Sequence, residues 1–311
     1  MPAMLSKTAV ECPQRLLAMT QALAPVRTAV VGAGTPLVLA GVRAAVEHEI
    51  VEPVLIGERQ EIVHAARKID WPVADFEIVA AADEASAALA GAGLARNGSV
   101  DMVLKGHIHS DTFMHPLVAR DSGIRNQRRL SHVFHMTIAG NDQPLLITDG
   151  AISVAPDVEG RVAIVENAVD LAHALGCQRP KVALLAASEE ITEAMPVTLE
   201  CREIAERCSA SGIAADVWGP LALDNIVSAS AARLKGINHP VAGQANIIVV
   251  PTIEVGNALF KMMVYFLGAC AAGIVVGGRV PVLLTSRADP PPARLASTAL
   301  GAILAQAQLA A

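Results

Sequence analysis

The stretch ANIIVVPTIEVGNALFKMMVYFLGACAAGIVVGGRVPVLLTSRAD, from Ala245 to Asp289, decides the fold. Its apolar start, NIIVV, is typical of a buried strand, and a helix is predicted from Glu254 to Leu267. Two short apolar runs, Gly273–Val276 and Pro281–Leu284, predict two further strands. A polar turn then leads into a helix that starts among prolines, which suit the first turn of a helix.

That polar turn, Ser286-Arg287-Ala288-Asp289, brings together a hydroxyl, a guanidinium and a carboxylate. It follows the carboxyl end of a predicted strand, where open α/β sheets bind their ligands. It also precedes a helix, whose free N–H groups and dipole attract anions. We therefore predict a phosphate-handling site at this turn. Asp289 is expected to cap a helix whose first residue is Pro290.

Strand-like and helical segments alternate along the rest of the chain, which predicts an α/β fold with largely parallel sheets. Two strand-like runs flank Gly140-Asn141-Asp142, which predicts a hairpin. The predicted strands are 27–32, 51–57, 76–80, 100–106, 132–139, 144–149, 181–187, 215–219 and 246–250, and single helices are predicted between most of them, including one at 224–234.

Near Gly140 the alternation of strands and helices is interrupted by two successive strands. This interruption divides the chain into two predicted α/β lobes with a cleft between them. The first lobe is expected to comprise residues 1–140 together with 272–311, because the last strand and helix return to it. The second lobe is expected to comprise residues 141–271. A short amphipathic helix is predicted near the N-terminus.

Composition excludes several classes of protein. The chain has 311 residues, is 53% hydrophobic and 3% aromatic, and carries a formal charge of −6. It lacks a basic block with interleaved aromatic residues, so a nucleic-acid partner is not expected. The five cysteines have no metal or redox spacing and indicate reduced thiols in a cytoplasmic protein. Glycines interrupt the uncharged stretch between Lys261 and Arg279, so no membrane span is expected.

Two motifs point weakly to cofactor or metal chemistry. Gly32-x-Gly34 follows a strand, but Leu37 stands where a dinucleotide fingerprint requires glycine or alanine, so a tight turn is the better interpretation. His107, His109 and Asp111 are similar to the start of some binuclear metal hydrolases. Thr112 follows where that pattern continues with histidine, so a metal-dependent hydrolase is the least favoured alternative.

Several cations and polar groups are candidates for anion binding. Lys105 ends a predicted strand, and Arg129 and Ser131 precede the lobe junction. Guanidinium groups suit phosphate because their planar donors bind it bidentately. Asn257 and Lys261 are four residues apart and lie on one helix face. Each has a structural alternative: a surface lysine, a solvated arginine cluster, or helix caps and salt-bridge partners.

Taken in order, many segments resemble the phosphate acetyl/butyryltransferase family. The resemblance is greater to its butyryltransferase branch than to its acetyltransferase branch. The resemblance extends roughly from Arg27 to Ala299. Its blocks include VLKGHIHSD, LSHVFHM, PLLITDGAISVAPD, VENAVDLAHALG, PKVALLAASEE, GPLALDN, LKGINHPVAGQANIIVVP and PVLLTSRAD. Several blocks in one order are far more specific than any single motif.

The resemblance implies reversible transfer of a short-chain acyl group, acetyl or butyryl, between coenzyme A and inorganic phosphate. It implies a fold like that of the isocitrate and isopropylmalate dehydrogenases, with two lobes around a cleft, and a homodimer or larger homo-oligomer. Coenzyme A is a substrate, and no cofactor or metal is expected. Arg287 is expected to bind phosphate and Ser286 to donate to the carbonyl oxygen, with Lys105, Arg129, Ser131, Asn257 and Lys261 as substrate-binding candidates.

The chain departs from the family at several positions. Ala293 stands where the acetyltransferase branch has an aspartate thought to deprotonate the thiol of coenzyme A. Asp289 matches the butyryl branch and is the candidate base, with helix capping as an equal alternative. Asn246, Gly150 and Thr252 are further departures. The absence of the aspartate motivates a second hypothesis, a non-catalytic protein that binds coenzyme A or an acyl phosphate.

Overall fold

A computed structural model describes residues 5–119, 123–125, 128–141, 143–285 and 289–310. The chain divides into two compact units. Unit A comprises Val10–Leu130 and Ala272–Ala311, and unit B comprises Met1–Ala9 and Ser131–Ala271. Residues 5–9 and 131–140 therefore belong with unit B, whereas the sequence predicts them in the lobe that corresponds to unit A.

Unit A has a mostly parallel sheet covered by helices. Its elements are α1 (Gln14–Thr20), β1 (Val26–Val31), α2 (Pro36–Glu47), β2 (Val51–Gly57), α3 (Arg59–Lys68), β3 (Glu77–Ala80), α4 (Glu84–Arg96), β4 (Met102–Lys105), α5 (Ser110–Val118), most of β10 (Cys270–Val276), β11 (Val282–Leu283) and α11 (Pro291–Leu309). The strand order is β3-β2-β1-β4-β11-β10. Among the described strands of this unit, the β10–β11 pair is antiparallel and the other pairs are parallel.

Unit B is built in the same way. Its elements are β5 (Ser131–Thr137), β6 (Leu145–Thr148), α6 (Val158–Ala174), β7 (Lys181–Leu185), α7 (Pro196–Ala210), β8 (Asp216–Leu221), α8 (Leu223–Val227), α9 (Ala229–Leu234), β9 (Ile247–Val249) and α10 (Ile253–Leu267). The strand order is β5-β6-β9-β7-β8. β5 and β6 form the predicted antiparallel hairpin, and the other pairs are parallel. The predicted α/β fold is confirmed.

Two helix predictions are wrong, and the first has a local cause. The helix predicted at 224–234 is two helices, because the Ser228 hydroxyl caps α9 by accepting a hydrogen bond from the N–H of Ala231 at 3.2 Å. A new N-cap ends one helix and starts the next. The last helix begins at Pro291 with Pro290 at its N-cap, so Asp289 does not occupy the capping position predicted for it.

Glycines let helices approach the sheet of unit A closely. A Cβ on Gly91 of α4 would lie 2.5 Å from Val31 Cγ2, and one on Gly301 of α11 would lie 2.5 Å from Met102 Sδ. Real Cβ atoms do not come this close, so these positions need glycine unless the packing shifts. α11 therefore lies directly against β4 and β11, and β11 is the strand that precedes the predicted anion turn.

The segment Lys261–Arg279 forms the end of α10, a turn and β10, as predicted. Gly268 ends α10 in the left-handed conformation, with φ 64°. Most of α10 is exposed or half-buried, since Gly256 is the only residue of this helix that is buried. Within the described ranges, no helix is long and apolar enough to cross a membrane.

Candidate functional site

The predicted anion turn follows a strand end that a buried hydrogen bond fixes. β11 pairs with β4 in parallel, with Leu283 opposite Leu104. The hydroxyl of Thr285 donates to the backbone carbonyl of Lys105 at 3.0 Å. The chain therefore leaves β11 at the same edge of the sheet where β4 ends. Ser286 and Arg287, the central residues of the prediction, lie outside the described residues.

Lys105 is a buried residue at this edge. Because its side chain is buried, the alternative interpretation as a surface lysine is wrong. Lysine side chains are rarely fully buried unless they have polar partners. The next residue, Gly106, touches the turn after β1, since a Cβ there would lie 2.4 Å from the carbonyl oxygen of Gly32. Gly32 itself has φ 78°, as expected for the tight turn inferred from the sequence.

Asp289 and Arg129 are the other candidate residues of unit A. The carbonyl of Asp289 accepts a hydrogen bond from Arg294 Nε at 3.0 Å, and the residue is half-buried. Because Pro290 occupies the N-cap, the capping alternative for Asp289 loses its geometric basis. Arg129 is exposed just before β5 begins. Unit A thus carries Lys105, Arg129 and Asp289.

One histidine of the metal alternative, His109, has a different local role. His109 precedes α5, and its backbone N–H and Nδ1 contact the carboxylate of Glu84 at 3.0 and 2.8 Å. The hydrogen bond from that N–H lowers the pKa of Glu84 below its usual range. No group of three or more histidine, cysteine, aspartate or glutamate side chains in the described part of the chain is arranged to hold a metal ion.

Unit B carries the candidates Ser131, Asn257 and Lys261. Ser131 is fully buried at the start of β5, and its hydroxyl accepts a hydrogen bond from Asn167 Nδ2 at 2.9 Å. This contact leaves the hydroxyl proton available for a second bond. The serine is therefore held against α6 rather than presented on the surface.

Asp149, directly after β6, organises the turn that follows. The residue is buried, and its carboxylate accepts four backbone hydrogen bonds. The donors are the N–H groups of His132 (3.0 Å), Ala151 (2.9 Å), Ile152 (2.9 Å) and Ser153 (3.2 Å). A backbone N–H can only donate, so all four bonds need a carboxylate that acts as acceptor. Asp149 thereby ties the start of β5 to the loop after β6.

His132 is buried beside this carboxylate. Burial lowers the pKa of its imidazole to about 4, and the charge of Asp149 opposes the shift only in part. The ring is therefore neutral at neutral pH. Its centroid lies 4.3 Å from that of Phe134, which stacks on Phe260 of α10 at 4.0 Å. An aromatic layer thus joins β5 to α10.

The first turns of α10 lie against the Asp149-Gly150 segment, backbone against backbone. A Cβ on Gly256 would lie 2.8 Å from the carbonyl oxygen of Asp149, and one on Gly150 would lie 3.0 Å from the carbonyl carbon of Gly256. Asn257 Nδ2 donates a long hydrogen bond of 3.5 Å to the carbonyl of Gly150. Lys261, one helical turn further, is exposed, with its ammonium nitrogen 6.0 Å from the ring centroid of Phe260.

Sequence reasoning missed the part played by Asp149 and His132. Asp149 was noted only as part of a matching block, and Gly150 only as a departure from the family. A usable signal was present, because an aspartate after the apolar run PLLIT marks a polar group at a strand's carboxyl end. The number of its backbone partners follows from the fold and not from the local sequence.

Comparison with known proteins gives a consistent result. Residues 77–302 match the family described as "Phosphate acetyl/butaryl transferase". The chain is 41% identical to a phosphate acetyltransferase of Rhizobium meliloti over 298 residues, which cover 96% of this chain and 94% of that protein. It is 39% identical to a phosphate butyryltransferase of Clostridium acetobutylicum over 271 residues, which cover 86% of this chain and 89% of that protein.

A solved structure agrees with these relatives. The fold is similar to that of a branched-chain phosphotransacylase from Enterococcus faecalis, with a TM-score of 0.78 and 30% identity, covering 90% of this chain and 99% of that one. Sequence and fold agree over most of the chain, which therefore belongs to the phosphate acetyl/butyryltransferase family.

Proposed function

We propose that the chain catalyses the reversible transfer of a short-chain acyl group, acetyl or butyryl, between coenzyme A and inorganic phosphate, with an acyl phosphate as the product. One observation carries this proposal: nearly the whole chain aligns with a named phosphate acetyltransferase at 41% identity. The chain also aligns with a named phosphate butyryltransferase at 39% identity, so the proposal covers both acetyl and butyryl groups.

The proposed reaction passes through a tetrahedral intermediate. A phosphate oxygen attacks the thioester carbonyl carbon, and the tetrahedral intermediate carries negative charge on the former carbonyl oxygen. The carbon–sulfur bond then breaks, and coenzyme A leaves as a thiolate, which takes up the proton that the phosphate loses. In the reverse direction the thiolate attacks the acyl phosphate. Holding both substrates in one site removes most of the entropic cost of their encounter.

The proposed roles follow from the charge that develops. Arg287 binds the phosphate, because its planar donors match two phosphate oxygens. Ser286 donates to the oxyanion, and a donor at that place stabilises the transition state. Asp289 exchanges the proton with the thiol. The bond from Thr285 to Lys105 supports this assignment, since it fixes the strand end from which Ser286 and Arg287 follow.

The remaining groups are proposed to bind the substrates. Lys105 and Arg129 supply positive charge in unit A, and Ser131, Asn257 and Lys261 supply polar and charged groups in unit B. The two units are proposed to act as the two lobes of a fold like the isocitrate and isopropylmalate dehydrogenases, with the substrates in the cleft between them. The reaction needs no cofactor, because coenzyme A is itself a substrate.

We propose further that the chain works as a homodimer or larger homo-oligomer. The second half of α10 exposes large apolar side chains, and such patches mark protein interfaces. They are Met262, Tyr265, Phe266 and Leu267. Light scattering of the wild type and of Tyr265→Asp tests this, with a wild-type mass above that of one chain expected and a smaller one for the variant.

The decisive experiment for the activity is a thiol-release assay. Purified protein, inorganic phosphate and an acyl-coenzyme A from C2 to C8 should release free thiol, and arsenate should replace phosphate. The same panel gives the preferred chain length. If no acyl-coenzyme A in the panel releases thiol, the proposed activity is wrong.

One observation favours a second candidate, a non-catalytic protein that binds coenzyme A or an acyl phosphate. Ala293, which stands where the acetyltransferase branch has its aspartate, is buried in the first turns of α11. A carboxylate is therefore missing from that helix face. Calorimetric binding of coenzyme A without thiol release would favour this candidate over the transferase.

A further inference from the structure

α10 carries Asn257 and Lys261, but its N-terminus is held by a loop from elsewhere in unit B. Thr252 is its N-cap residue, and in the described part of the chain no side-chain bond caps the helix from that position. Instead, the N–H of Ile253 donates to the carbonyl of Val154 at 3.0 Å. Helix ends need such partners for their free N–H groups. The loop after β6 therefore supplies a cap for α10.

The same loop owes its shape to Asp149. Three of the four hydrogen bonds to the carboxylate come from Ala151, Ile152 and Ser153, the residues that lead directly to Val154. The fourth comes from His132 on the neighbouring strand. A buried carboxylate that accepts hydrogen bonds from four N–H groups favours one loop conformation, because leaving a buried N–H group or carboxylate oxygen unpaired costs free energy.

Direct packing makes a second connection between Asp149 and α10. The carbonyl oxygen of Asp149 would lie 2.8 Å from a Cβ on Gly256, so the two backbones are in van der Waals contact. Asn257 also donates its long hydrogen bond to Gly150. A small displacement of the turn therefore moves Asn257, and Lys261 moves with it on the same helix face.

We propose that Asp149 is a positioning residue for acyl transfer, which sets the placement of Asn257 and Lys261 through the loop that caps α10. This inference rests on the proposed function, in which both side chains bind the substrates. Asp149 itself is enclosed by backbone donors, so it acts through α10. A displacement of about 1 Å at substrate-positioning groups costs as much as a hundredfold in rate.

The test is a double-substitution cycle in the full-length protein. Asp149→Asn keeps the size of the side chain and replaces one acceptor oxygen by an NH₂ donor. We expect kcat/KM to fall about tenfold to a hundredfold, mainly through KM for coenzyme A or phosphate. In the Asn257→Ala background, the factor by which Asp149→Asn lowers kcat/KM should be at least about threefold smaller than in the wild-type background. The reason is that the side chain which Asp149 positions is already absent.

Ser228→Ala is the matched control. It removes the cap of α9 in the same unit and lowers stability by a comparable mechanism, but Ser228 has no part in the loop after β6. Its kcat/KM should stay within about twofold of the wild type at a temperature where all variants are folded. Additive effects in the cycle, or single effects of Asp149→Asn no larger than those of Ser228→Ala, overturn the inference.

Gly150→Ala covers the case in which Asp149→Asn does not fold. The added Cβ would lie 3.0 Å from the backbone carbonyl carbon of Gly256, 3.2 Å from Phe134 Cε2 and 3.3 Å from the backbone nitrogen of Asn257. The first turns of α10 therefore have to shift by a few tenths of an ångström, while all four hydrogen bonds to Asp149 keep their partners. We expect KM to rise severalfold, and an unchanged KM overturns the inference. Wild-type activity separates the two proposals: if the wild type releases no thiol, the proposed function has failed, whereas an active wild type with an unaffected Gly150→Ala variant refutes only the positioning role.

Discussion

The hydroxyl of Thr285 donates a hydrogen bond to the backbone carbonyl of Lys105, 3.0 Å away across 180 positions of sequence. The bond joins the ends of β11 and β4 inside unit A, and both residues are buried. Residue 286 follows Thr285 directly. The strand end before the proposed phosphate-binding turn is therefore fixed by the sheet register and by one side chain.

Thr285→Val should lower both stability and activity. The substitution removes the hydroxyl and leaves the carbonyl of Lys105 without this donor, which costs about 1–2 kcal/mol of unfolding free energy. Because the next residues are Ser286 and Arg287, kcat/KM should fall about tenfold. Denaturant unfolding and the thiol-release assay measure the two effects.

Thr298→Val is the control for this prediction. Thr298 is also buried in unit A and also donates to a carbonyl at 3.0 Å, but the acceptor is Arg294 in the same helix. We expect a similar loss of stability with kcat/KM unchanged. Equal losses of kcat/KM in the two variants would refute a specific role for the Thr285 bond.

Arg287→Ala should weaken phosphate use. A charge-assisted hydrogen bond contributes roughly 1.5–3 kcal/mol, so its loss should lower kcat/KM for phosphate by about tenfold or more. Steady-state kinetics at varied phosphate measure this effect. The control is Arg207→Ala, which removes an exposed guanidinium paired with Glu203 on α7 and should leave kinetics unchanged. Wild-type kinetics in Arg287→Ala would remove this residue from the site.

The stability of the protein should decrease as the pH falls below about 6.5, because His132 is protonated more readily in the unfolded chain than in the folded chain. Its pKa is about 4 in the folded chain, lowered mainly by burial, so the unfolded chain binds the proton more readily. The stabilisation is present above the unfolded pKa and is lost as the pH falls toward the folded value. Between pH 7 and pH 5 this should cost about 1–2 kcal/mol.

Denaturant unfolding of wild type and His132→Gln at both pH values tests this prediction. The variant should lose less stability than the wild type over the interval, because the titrating group is gone. His48→Gln, a substitution at an exposed position of unit A, serves as the control. Identical losses in wild type and His132→Gln would show that the imidazole makes no such contribution.

Gly301→Ala should destabilise the chain, whereas Gly93→Ala should not. A Cβ at Gly301 would lie 2.5 Å from Met102 Sδ and 2.7 Å from Leu283 Cδ2, and such overpacking costs about 1–3 kcal/mol. A Cβ at Gly93 would meet no atom of the described residues within 4 Å, and alanine favours a helix by about 0.5–1 kcal/mol. Thermal unfolding of both variants measures the contrast, and a loss of stability in both would contradict it.

Much of the fold could be predicted from the sequence because hydrophobic periodicity is a local property. Apolar runs bounded by glycine and polar residues gave nearly all strands, and Gly140-Asn141 marked the hairpin of β5 and β6. Failures arose where a single side chain competes locally, as when Ser228 starts a new helix. Helix capping depends on one hydrogen bond, which periodicity does not record.

The candidate site likewise combines features that the sequence predicted with features that it did not predict. The types and spacing of Asn257 and Lys261 predicted that both lie on one face of one helix, and α10 spans both. Neither the burial of Lys105 nor the enclosure of Ser131 was predicted, since a lysine or serine has the same local sequence whether it is inside or outside. Burial depends on which strands become neighbours in the sheet.

The sequence by itself determined that this chain alternates strands and helices and shares ordered blocks with one family of transferases. The tertiary structure decided which groups meet: Asp149 receives an N–H from His132 on the neighbouring strand, and Thr285 reaches the carbonyl of Lys105. The reason is physical. Periodicity is set by neighbours along the chain, whereas hydrogen-bond partners distant in sequence are set by strand order and register.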